Sequence, residues 1–232
     1  MSNFNRLRYA SSLFDEWPEK YDRWFDTPIG TLVKKYEVEL LMDLLQPSPG
    51  EKILDVGCGT GVFTLDILAF GPRVTGLDIS QPMLKRAGFK TEGYPFQGLA
   101  ADMSYLPFVD ECFDKVVSVT AIEFVEDAKG AIAELFRVTK KGGIIVVTTL
   151  NSLSPWAVRR KQSADKGHSL FERMIFRSPD EMLAVAPVDG TVKTAIHFLK
   201  DDDPLKAPEI EREGQTRNLD TGAFLAARWE KP

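Results

Sequence analysis

The sequence predicts an α/β fold: a doubly wound sheet of seven strands, mostly parallel with an antiparallel edge strand, which helices cover on both faces. Two observations support this prediction. The β-branched runs at 115–120 (KVVSVT) and 144–149 (IIVVTT) are too apolar to be exposed on either face. Stretches with apolar residues at helical spacing separate such runs, and strand–helix–strand connections of this kind are right-handed and join parallel strands.

The first half of the chain alternates helices with strands. Apolar residues at helical spacing predict the first helix, which the PSPG sequence at 47–50 ends. Ser80 as N-cap and Pro82 in the first turn predict the start of another helix, ending near Gly88. The elements predicted for this half are strands over 52–56, 73–77 and 95–100 and helices over 30–45, 62–70 and 80–88.

The second half continues this alternation and then changes. Apolar residues share one side of a predicted helix over 127–138, and the KKGG sequence at 140–143 is expected to end it. Ser178 and Glu181 form a capping-box pattern, which predicts a helix over 179–185. The last two predicted strands have no helical pattern between them, so we expect them to form an antiparallel pair at one edge. The strands predicted for this half are 115–120, 144–149, 191–199 and 222–229.

We expect one domain over residues 1–232, with a helical N-terminal cap over 1–45. Between 151 and 177 the strand–helix alternation gives way to a polar, basic stretch that also contains Trp156 and Phe171. We interpret this stretch as an inserted lid over the substrate site.

The composition excludes several classes of protein. A formal net charge of −5, with no long basic block, shows no electrostatic footprint for nucleic acid. The two cysteines, Cys58 and Cys112, are too few for a disulfide framework and favour a reducing compartment. There is neither a signal-peptide core nor an apolar run long enough to span a bilayer. We therefore predict a cytoplasmic protein without stable membrane insertion and without a metal site, and leave the oligomeric state open.

The sequence ILDVGCGTG at 53–61 joins the first predicted strand to the following helix. Its glycines at 57, 59 and 61 allow a sharp turn and the close approach of a ligand. Asp55, just before them, would repel a pyrophosphate and attract a cation, and the spacing GxGxG differs from the GxGxxG of dinucleotide loops. Asp78, at the end of the second strand, is placed to bind the two hydroxyls of a ribose. Together these residues favour a nucleoside that carries an ammonium group and no phosphate.

Five sequence elements in one order carry a resemblance to a known family, from roughly Tyr21 to Asn151. They are ILDVGCGTG, VTGLDIS, AADMSYLPF, FDKVVSVTAIEFVED and ELFRVTKKGGIIVV. In this order they resemble the class I S-adenosylmethionine-dependent methyltransferases of type 11, especially the branch related to ubiquinone and menaquinone C-methyltransferases. The resemblance implies a Rossmann-like fold with helical lid segments. It also implies S-adenosyl-L-methionine as cofactor, S-adenosyl-L-homocysteine as product and a small molecule as methyl acceptor.

The resemblance also implies roles for residues around the cofactor's methionine and ribose. Asp55 would reach the amino group, with Gly57 and Gly59 lining the methionine end. Cys58, between these glycines, lies in the same loop; we interpret it as a small residue that fits a buried turn and not as a nucleophile. Asp78 would bind the ribose hydroxyls, with the capping of the following helix as its structural alternative.

Further roles follow at the two ends of the cofactor. Ile79 and Met83 would flank the adenine. Asp102 would accept from its exocyclic amine, with the Met103 backbone nearby. The alternative for Asp102 is that it begins a turn. By the same resemblance, the sulfonium end would be lined by Thr120 and Ala121, and Tyr21 is a candidate lid residue over the cofactor.

Two residues are candidates for proton chemistry. Glu123 is expected to point toward the substrate, where a carboxylate can stabilise the sulfonium, orient a hydroxyl or accept its proton. The alternative is a salt bridge from Glu123 to Arg159 or Arg160. His168, in the predicted lid, is the second candidate, with an exposed loop histidine as its alternative.

The predicted function is methyl transfer to an oxygen or carbon of a small molecule. The sequence TAIEF stands where amino-methylating nucleic-acid enzymes carry an Asn-Pro-Pro-Tyr element, which disfavours that class. Two alternatives stay open. A nicotinamide-dependent oxidoreductase would share the fold and the ribose acid, although its usual Tyr-x-x-x-Lys pair is missing at a strand end. A module that binds S-adenosylmethionine without catalysis would share the whole cofactor site.

Overall fold

The structure, a computed structural model, describes residues 14–164 and 173–232. Seven strands in this part of the chain form one sheet. They match the seven strands that the sequence predicts, with ends that differ by a few residues. The strands are β1 (Lys52–Val56), β2 (Arg73–Asp78), β3 (Phe96–Ala100), β4 (Phe113–Val119), β5 (Thr139–Leu150), β6 (Thr191–Ala195) and β7 (Phe224–Glu230).

The strand order is β3-β2-β1-β4-β5-β7-β6. β1 to β5 are parallel, while β7 is antiparallel to both of its neighbours, β5 and β6. The prediction of a mostly parallel sheet with an antiparallel pair at one edge is confirmed, with β7 on the inner side and β6 outermost. Strand order reverses between β1 and β4, and ligands of such sheets bind beyond the carboxyl ends of the strands at this point.

Eight α-helices lie in the described residues, and a 3₁₀ turn at Ile122–Phe124 follows β4. The predicted N-caps Ser80 and Ser178 both accept hydrogen bonds from backbone N–H groups, and Ser178 and Glu181 form a complete capping box. The α-helices are α1 (Pro18–Phe25), α2 (Pro28–Leu45), α3 (Val62–Leu68), α4 (Gln81–Lys90), α5 (Ala128–Val138), α6 (Pro155–Ala164), α7 (Pro179–Leu183) and α8 (Ala207–Thr216). None of them is long and apolar enough to cross a membrane.

Three of these helices, α1, α6 and α8, are not among the helices predicted with bounds, although α1 lies in the expected N-terminal cap and α6 in the expected lid. α8 lies between β6 and β7, where we expected no helix. Its buried positions are Ala207, Glu211 and Gly214, so it has no stripe of large apolar residues to mark it. α1 has no fully buried residue at all. A search for apolar periodicity therefore misses α8, whereas α1 does carry Tyr21, Trp24 and Phe25 at helical spacing, and these pack against the core.

The KKGG sequence does not end a helix by itself, contrary to our expectation. α5 stops at Val138, and β5 begins directly at Thr139 and runs through Lys140–Gly143. The Gly142 N–H donates to the Lys231 carbonyl (2.8 Å), and the Lys231 N–H donates to the Gly143 carbonyl (3.0 Å). Pairing with the C-terminal segment thus keeps these residues in β5, with Gly142 at a left-handed φ of 71°, and local sequence cannot reveal this pairing.

β6 is shorter than predicted. It ends at Ala195 because Ile196 adopts a left-handed backbone conformation with φ of 68°. This conformation is rare for a β-branched residue. The strand pattern TVKTAIHFL continues to residue 199, but the chain has already turned away from the sheet.

The core has two layers, one on each face of the sheet. Neighbouring strand residues alternate between the layers, as Ile53 and Leu54 do on β1. α2 and α3 cover the layer of Ile53, and α5 covers the layer of Leu54. Each fully buried Leu or Ile stabilises the fold by about 1.5–3 kcal/mol. The carboxyl ends of the central strands are consequently held rigidly.

A buried His–Glu pair attaches α8 to the segment after β6. The Glu211 carboxylate accepts from the His197 backbone N–H (2.7 Å) and lies 3.2 Å from its Nδ1, while Nε2 lies 3.2 Å from the Leu219 carbonyl oxygen. Burial alone would lower the pKa of His197, but these hydrogen bonds raise it above 6.5. The same pairing outweighs burial at Glu211 and holds the pKa of its carboxyl below 4.5.

This pair predicts a pH-dependent contribution to stability. Because the pKa of His197 is raised in the folded state, protonated His197 stabilises the fold fully below pH 6.5, and this stabilisation is lost as pH rises through the folded-state pKa. Because the pKa of Glu211 is lowered, ionised Glu211 stabilises the fold above pH 4.5. Urea unfolding of Glu211→Gln should therefore show a loss of about 1–3 kcal/mol that is largest between these two pH values. Glu213→Gln, exposed on the same helix, is the control. A loss that does not vary with pH contradicts this explanation.

Candidate functional site

A cavity of about 2040 Å³ lies beyond the carboxyl ends of β1, β2 and β4. All the sequence-predicted site residues within the described ranges line it. His168 lies outside the described residues. The predicted residues at the cavity are Tyr21, Asp55, Gly57, Cys58, Gly59, Asp78, Ile79, Met83, Asp102, Met103, Thr120, Ala121 and Glu123.

The glycine loop is held close to the sheet. The N–H groups of Gly57 and Cys58 both donate to the Leu77 carbonyl, at 2.6 and 3.0 Å. Gly57 has φ of 75°, and a Cβ at this position would lie 2.4 Å from the Cβ of Ala121. Glycine is therefore required at 57 both for the backbone conformation and for the close approach of the segment after β4.

Asp55 is a buried acid whose hydrogen bonding is incomplete. Its Oδ2 accepts from Thr64 Oγ1 (2.6 Å), whereas its buried Oδ1 has no hydrogen-bond partner. Burial raises the pKa of Asp55 to about 7, and the nearby Asp78 adds to this effect. Because an unpaired buried carboxylate is costly, a cation at Oδ1 would be strongly favoured.

Asp78 is positioned by two backbone N–H groups. Gly59 donates to its Oδ2 (2.8 Å) and Ser80 to its Oδ1 (2.9 Å). Burial raises the pKa of Asp78 despite these bonds. Each carboxylate oxygen has a second lone pair, so the side chain can still accept from two hydroxyls of a ligand.

The cavity continues past Asp78 toward the loop after β3. Ile79 and Met83 line this part, and Met83 is buried. Asp102 Oδ1 accepts from the Ser104 N–H (2.9 Å), so the turn-forming role considered as its alternative is present. The adenine contact of Asp102 stays a prediction, and its carboxylate faces the same cavity.

Thr120, directly after β4, has a left-handed backbone with φ of 47°. Its N–H donates to the carbonyl (3.2 Å) and to Oγ1 (3.1 Å) of Thr148 on β5. Such a conformation is strained for a β-branched residue and is often found at functional sites. The Thr120 side chain lies close enough to Tyr21 on α1 to lower the pKa of the Tyr21 hydroxyl, which burial raises, so the strained residue adjoins the N-terminal helix.

Asp22 on α1 joins this helix to the glycine loop by hydrogen bonds, and the sequence analysis did not identify it. Asp22 accepts from Thr60 Oγ1 (2.7 Å) in the loop and from Arg86 Nε (2.9 Å) on α4, and it also pairs with Lys90. Burial opposes ionisation, but these hydrogen bonds hold the pKa of Asp22 below its usual value. We name this group of four side chains the Asp22 latch.

Two buried acids, Glu123 and Glu37, line the same cavity. Glu123 is fully buried, with its Oε2 3.5 Å from Thr149 Oγ1 and its Oε1 without a hydrogen-bond partner. Glu37 on α2 is also buried, and its pKa is raised by burial and by the charge of Glu123. Glu37 was missed, although it lies among Val33, Tyr36 and Leu41 on the buried stripe of α2, and an acid at such a position is a readable signal.

The two arginines that we considered as partners of Glu123 behave differently. Arg159 forms an ion pair with Asp201 (2.6 Å). Arg160 stacks on Trp156, with its guanidinium carbon 5.3 Å from the ring centroid, and acts electrostatically on both acids. Its Nη1 is buried and has no hydrogen-bond partner among residues 14–164 and 173–232. We name Glu37, Glu123 and Arg160 the polar wall.

Cys58 lines the cavity but shows no sign of reactivity. The thiol is buried, and burial together with Asp55 and Asp78 raises its pKa far above the usual value. A protonated thiol is a poor nucleophile. Within residues 14–164 and 173–232, no group of three or more His, Cys, Asp and Glu side chains could hold a metal ion.

The fold and the cavity thus define a class of protein: a Rossmann-like domain with a site for a nucleoside that carries a positive charge. The family described as "Methyltransferase domain" matches residues 54–147. An uncharacterized protein of Methanocaldococcus jannaschii is 30% identical over 222 residues, covering 95% of this chain and 99% of that protein. Residues 54–147 are thus a methyltransferase domain, and S-adenosylmethionine is the cofactor of this enzyme class.

Two further comparisons agree with this assignment. A malonyl-[acyl-carrier protein] O-methyltransferase of Serratia marcescens is 37% identical over 112 residues, which are 48% of this chain and 43% of the relative. The chain spans about half the length of the curated methyltransferases that it matches. A solved Thermotoga maritima structure, described as an S-adenosylmethionine-dependent methyltransferase and possible histamine N-methyltransferase, has a TM-score of 0.74 and 22% identity. That alignment covers 96% of this chain and 99% of the other.

The residues of the cavity fit this cofactor. The unpartnered Oδ1 of Asp55 suits the ammonium group, and Asp78 retains lone pairs for the ribose hydroxyls. A Cβ at Gly59 would meet no atom within 4 Å, so its backbone borders open space. The glycine loop, residues 53–61, has no Lys or Arg that could bind a phosphate, in keeping with a ligand that has none.

Substitution of Gly57 tests the close approach of the glycine loop. Gly57→Ala should lower the free energy of unfolding by more than Gly50→Ala. Both residues have positive φ, so each alanine costs about 1–2 kcal/mol. Only at 57 does the new Cβ meet Ala121, and overpacking adds about 1–3 kcal/mol. Urea unfolding measures both variants, and equal losses would show that the approach to Ala121 is not tight.

Proposed function

We propose that this chain transfers a methyl group from S-adenosylmethionine to an oxygen or carbon of a small molecule. The observation that carries the proposal is the pair of buried acids, Asp55 and Asp78, at the ends of neighbouring strands. Asp55 has an unpartnered oxygen that we assign to the ammonium group. Backbone N–H groups orient Asp78, which we assign to the ribose. An acceptor cavity with its own polar wall adjoins them.

In the proposed complex Asp55 binds the amino group, with Gly57, Cys58 and Gly59 around the methionine end. Asp78 binds the ribose hydroxyls. Ile79 and Met83 lie against the adenine, whose amino group is bound by Asp102 near Met103. Support for these roles comes from the position of all these residues along one cavity. When bound, the cofactor supplies an activated methyl group on a sulfonium, so the protein has mainly to position the acceptor and exclude water.

The sulfonium end is assigned to Thr120 and Ala121, between the cofactor and the acceptor. Tyr21 covers this junction from α1, and the Asp22 latch holds α1 in place. We assign to Glu123 the acceptance of a proton from the methyl acceptor, because this residue is buried with an unpartnered oxygen. The segment 151–177 acts as the acceptor's lid in this proposal, since Trp156 and Arg160 on α6 line the cavity.

An oxygen acceptor receives support from the Serratia marcescens relative, which is an O-methyltransferase by name. The two open alternatives are less well supported. An oxidoreductase needs a pyrophosphate site, and the unpartnered Asp55 carboxylate would repel one. A binding module without catalysis does not need the buried, unsatisfied acids of the acceptor cavity, which are costly to maintain.

A cytoplasmic location also belongs to the proposal. Both cysteines are free, with Cys58 buried and Cys112 half-buried. Free thiols are stable in a reducing compartment.

The role of Asp78 can be measured by calorimetry with S-adenosylhomocysteine. Asp78→Asn should weaken binding by roughly 10–100-fold, because two charge-assisted hydrogen bonds to the ribose are lost. Asp189→Asn, an exposed acid far along the chain, is the control and should bind as the wild type does. If the wild type does not bind, or if Asp78→Asn binds equally well, the proposed function is wrong.

The raised pKa of Asp55 predicts that cofactor affinity depends on pH. An ionised Asp55 is needed to bind the ammonium group, and its pKa in the ligand-free protein is about 7. Affinity for S-adenosylhomocysteine should therefore fall by roughly tenfold for each pH unit below this value. Asp55→Asn should bind weakly and without this dependence. Calorimetry from about pH 8 to about pH 6 measures this affinity. If the wild type binds equally well across this range, Asp55 does not bind the ammonium group.

A further inference from the structure

The loop between β3 and β4, residues 101–112, forms neither helix nor strand. Its first half, residues 101–106, lines the cavity, and this half contains Asp102, which we assign to the adenine. A segment of this kind lacks the repeated backbone hydrogen bonds that fix a strand or a helix. Other contacts therefore have to determine where the Asp102 carboxylate lies.

Arg137, in the last turn of α5, binds the middle of this loop. A guanidinium has five N–H donors in one plane, and Arg137 uses all of them. Nη1 donates to the Phe108 carbonyl (2.7 Å) and to the Asp110 carboxylate (2.8 Å), and Nη2 donates to the Leu106 carbonyl (2.9 Å). The other two donors bind Glu134, with Nε 2.7 Å from Oε1 and Nη2 2.8 Å from Oε2.

Glu134 also binds the loop directly. Its Oε2 accepts from the Leu106 N–H (2.8 Å), so the Glu134–Arg137 pair binds both the N–H and the carbonyl of this residue. Hydrogen bonds from Arg137 hold the pKa of Glu134 below 4.5, so the carboxylate is ionised at neutral pH. Both side chains are mostly buried, with exposed fractions of 23% for Glu134 and 30% for Arg137. Charge-assisted, bidentate hydrogen bonds in such a position are strong and directional.

The bonds to Leu106 act on Asp102 through one tight turn. The Asp102 carbonyl accepts from the Tyr105 N–H (3.1 Å), so the orientation of the backbone at Leu106 is passed to Asp102. Met103 and Leu106 are also buried in the core, and this packing holds the turn against the domain. Apolar packing is non-directional, however. The hydrogen bonds of the Glu134–Arg137 pair are therefore the contacts that fix how the turn is oriented.

We propose that Glu134 and Arg137 are positioning residues for the adenine of the cofactor: they hold the loop so that Asp102 accepts from the exocyclic amine. This inference rests on the proposed function and deepens it, because it assigns the selection of the base to two residues of α5. A loop that is ordered before binding adds no ordering cost to binding. A site built to bind an amine also rejects a base that lacks one.

The test compares two ligands that differ in the base, S-adenosylhomocysteine and S-inosylhomocysteine, in which a carbonyl replaces the exocyclic amine. The wild type should bind S-adenosylhomocysteine roughly 10–100-fold more tightly, because the inosine carbonyl would face the Asp102 carboxylate. Calorimetry with the whole chain measures both dissociation constants. Their ratio reports the contact with the base, since the ribose and the homocysteine are the same in both ligands.

Arg137→Gln should bring this ratio to within about threefold of one, chiefly because S-adenosylhomocysteine binds more weakly. A variant that only destabilises the fold would weaken both ligands alike and leave the ratio unchanged. Arg137→Lys keeps the charge but has three donors in place of five, so it should lower the ratio as well. If Arg137→Gln does not fold, as judged by circular dichroism, Arg137→Lys still tests the inference.

The matched control is Arg212→Gln on α8. Arg212 and Glu209 form an ion pair at the same i, i+3 spacing (3.5 Å), but both side chains are exposed. This variant should keep the wild-type ratio. If it lowers the ratio as much as Arg137→Gln does, the effect is not specific to the Glu134–Arg137 pair and the inference is wrong.

A double-mutant cycle shows whether Arg137 acts through Asp102. Asp102→Ala should lower the ratio by itself, because it removes the carboxylate that we assign to the amine. Adding Arg137→Gln should then change the ratio no further, since both substitutions remove the same contact. If the two losses add, Arg137 does not act through Asp102, and the inference is overturned.

The outcomes distinguish this inference from the proposed function. If S-adenosylhomocysteine does not bind to the wild type, the proposed function fails, and this inference fails with it. If it binds but the wild type binds S-inosylhomocysteine equally well, the adenine role of Asp102 and the inference are overturned. If the wild type discriminates and the Arg137 variants keep its ratio, only the inference is overturned.

Discussion

The parallel pairing of β1 with both β2 and β4 is the constraint on which the rest of the structure depends. It brings the ends of three strands to one edge, and with them Asp55, Asp78 and Thr120. The loop after β1 then has to turn within van der Waals distance of the segment after β4, and only glycine at 57 leaves room for Ala121.

The site is built from groups that are unfavourable in the absence of a ligand. Asp55 and Glu123 are buried with one unpartnered oxygen each, and Arg160 is buried with an unpartnered Nη1. Burial raises the pKa of both acids to about 7. A positively charged cofactor and a hydrogen-bonding acceptor would each satisfy groups that the chain leaves open, so the free energy stored in these groups favours binding.

The acceptor cavity is assembled from elements that are distant in the sequence. Tyr21 lies on α1, Glu37 on α2, Glu123 after β4 and Arg160 on α6. The Asp22 latch fastens the first of these elements to the glycine loop and to α4. Residues of the same helix, Tyr21 and Trp24, line the cavity, so α1 both contacts the glycine loop and contributes to the cavity wall.

The sequence by itself determined the sheet and most helices, because these depend on local patterns such as β-branched runs and N-caps like Ser80. It also placed Asp55 and Asp78 at the ends of neighbouring strands, while their contacts with the cofactor stay predictions. Only the tertiary structure decided that Lys140–Gly143 extend β5, that α8 forms without an apolar stripe, and that Glu37 and Arg160 join Glu123. Strand pairing with the C-terminal segment, a buried His–Glu pair and long-range electrostatics produce these features. Only Glu37, an acid on the apolar stripe of α2, carries a local signal; the other contacts join segments that no short window of residues contains.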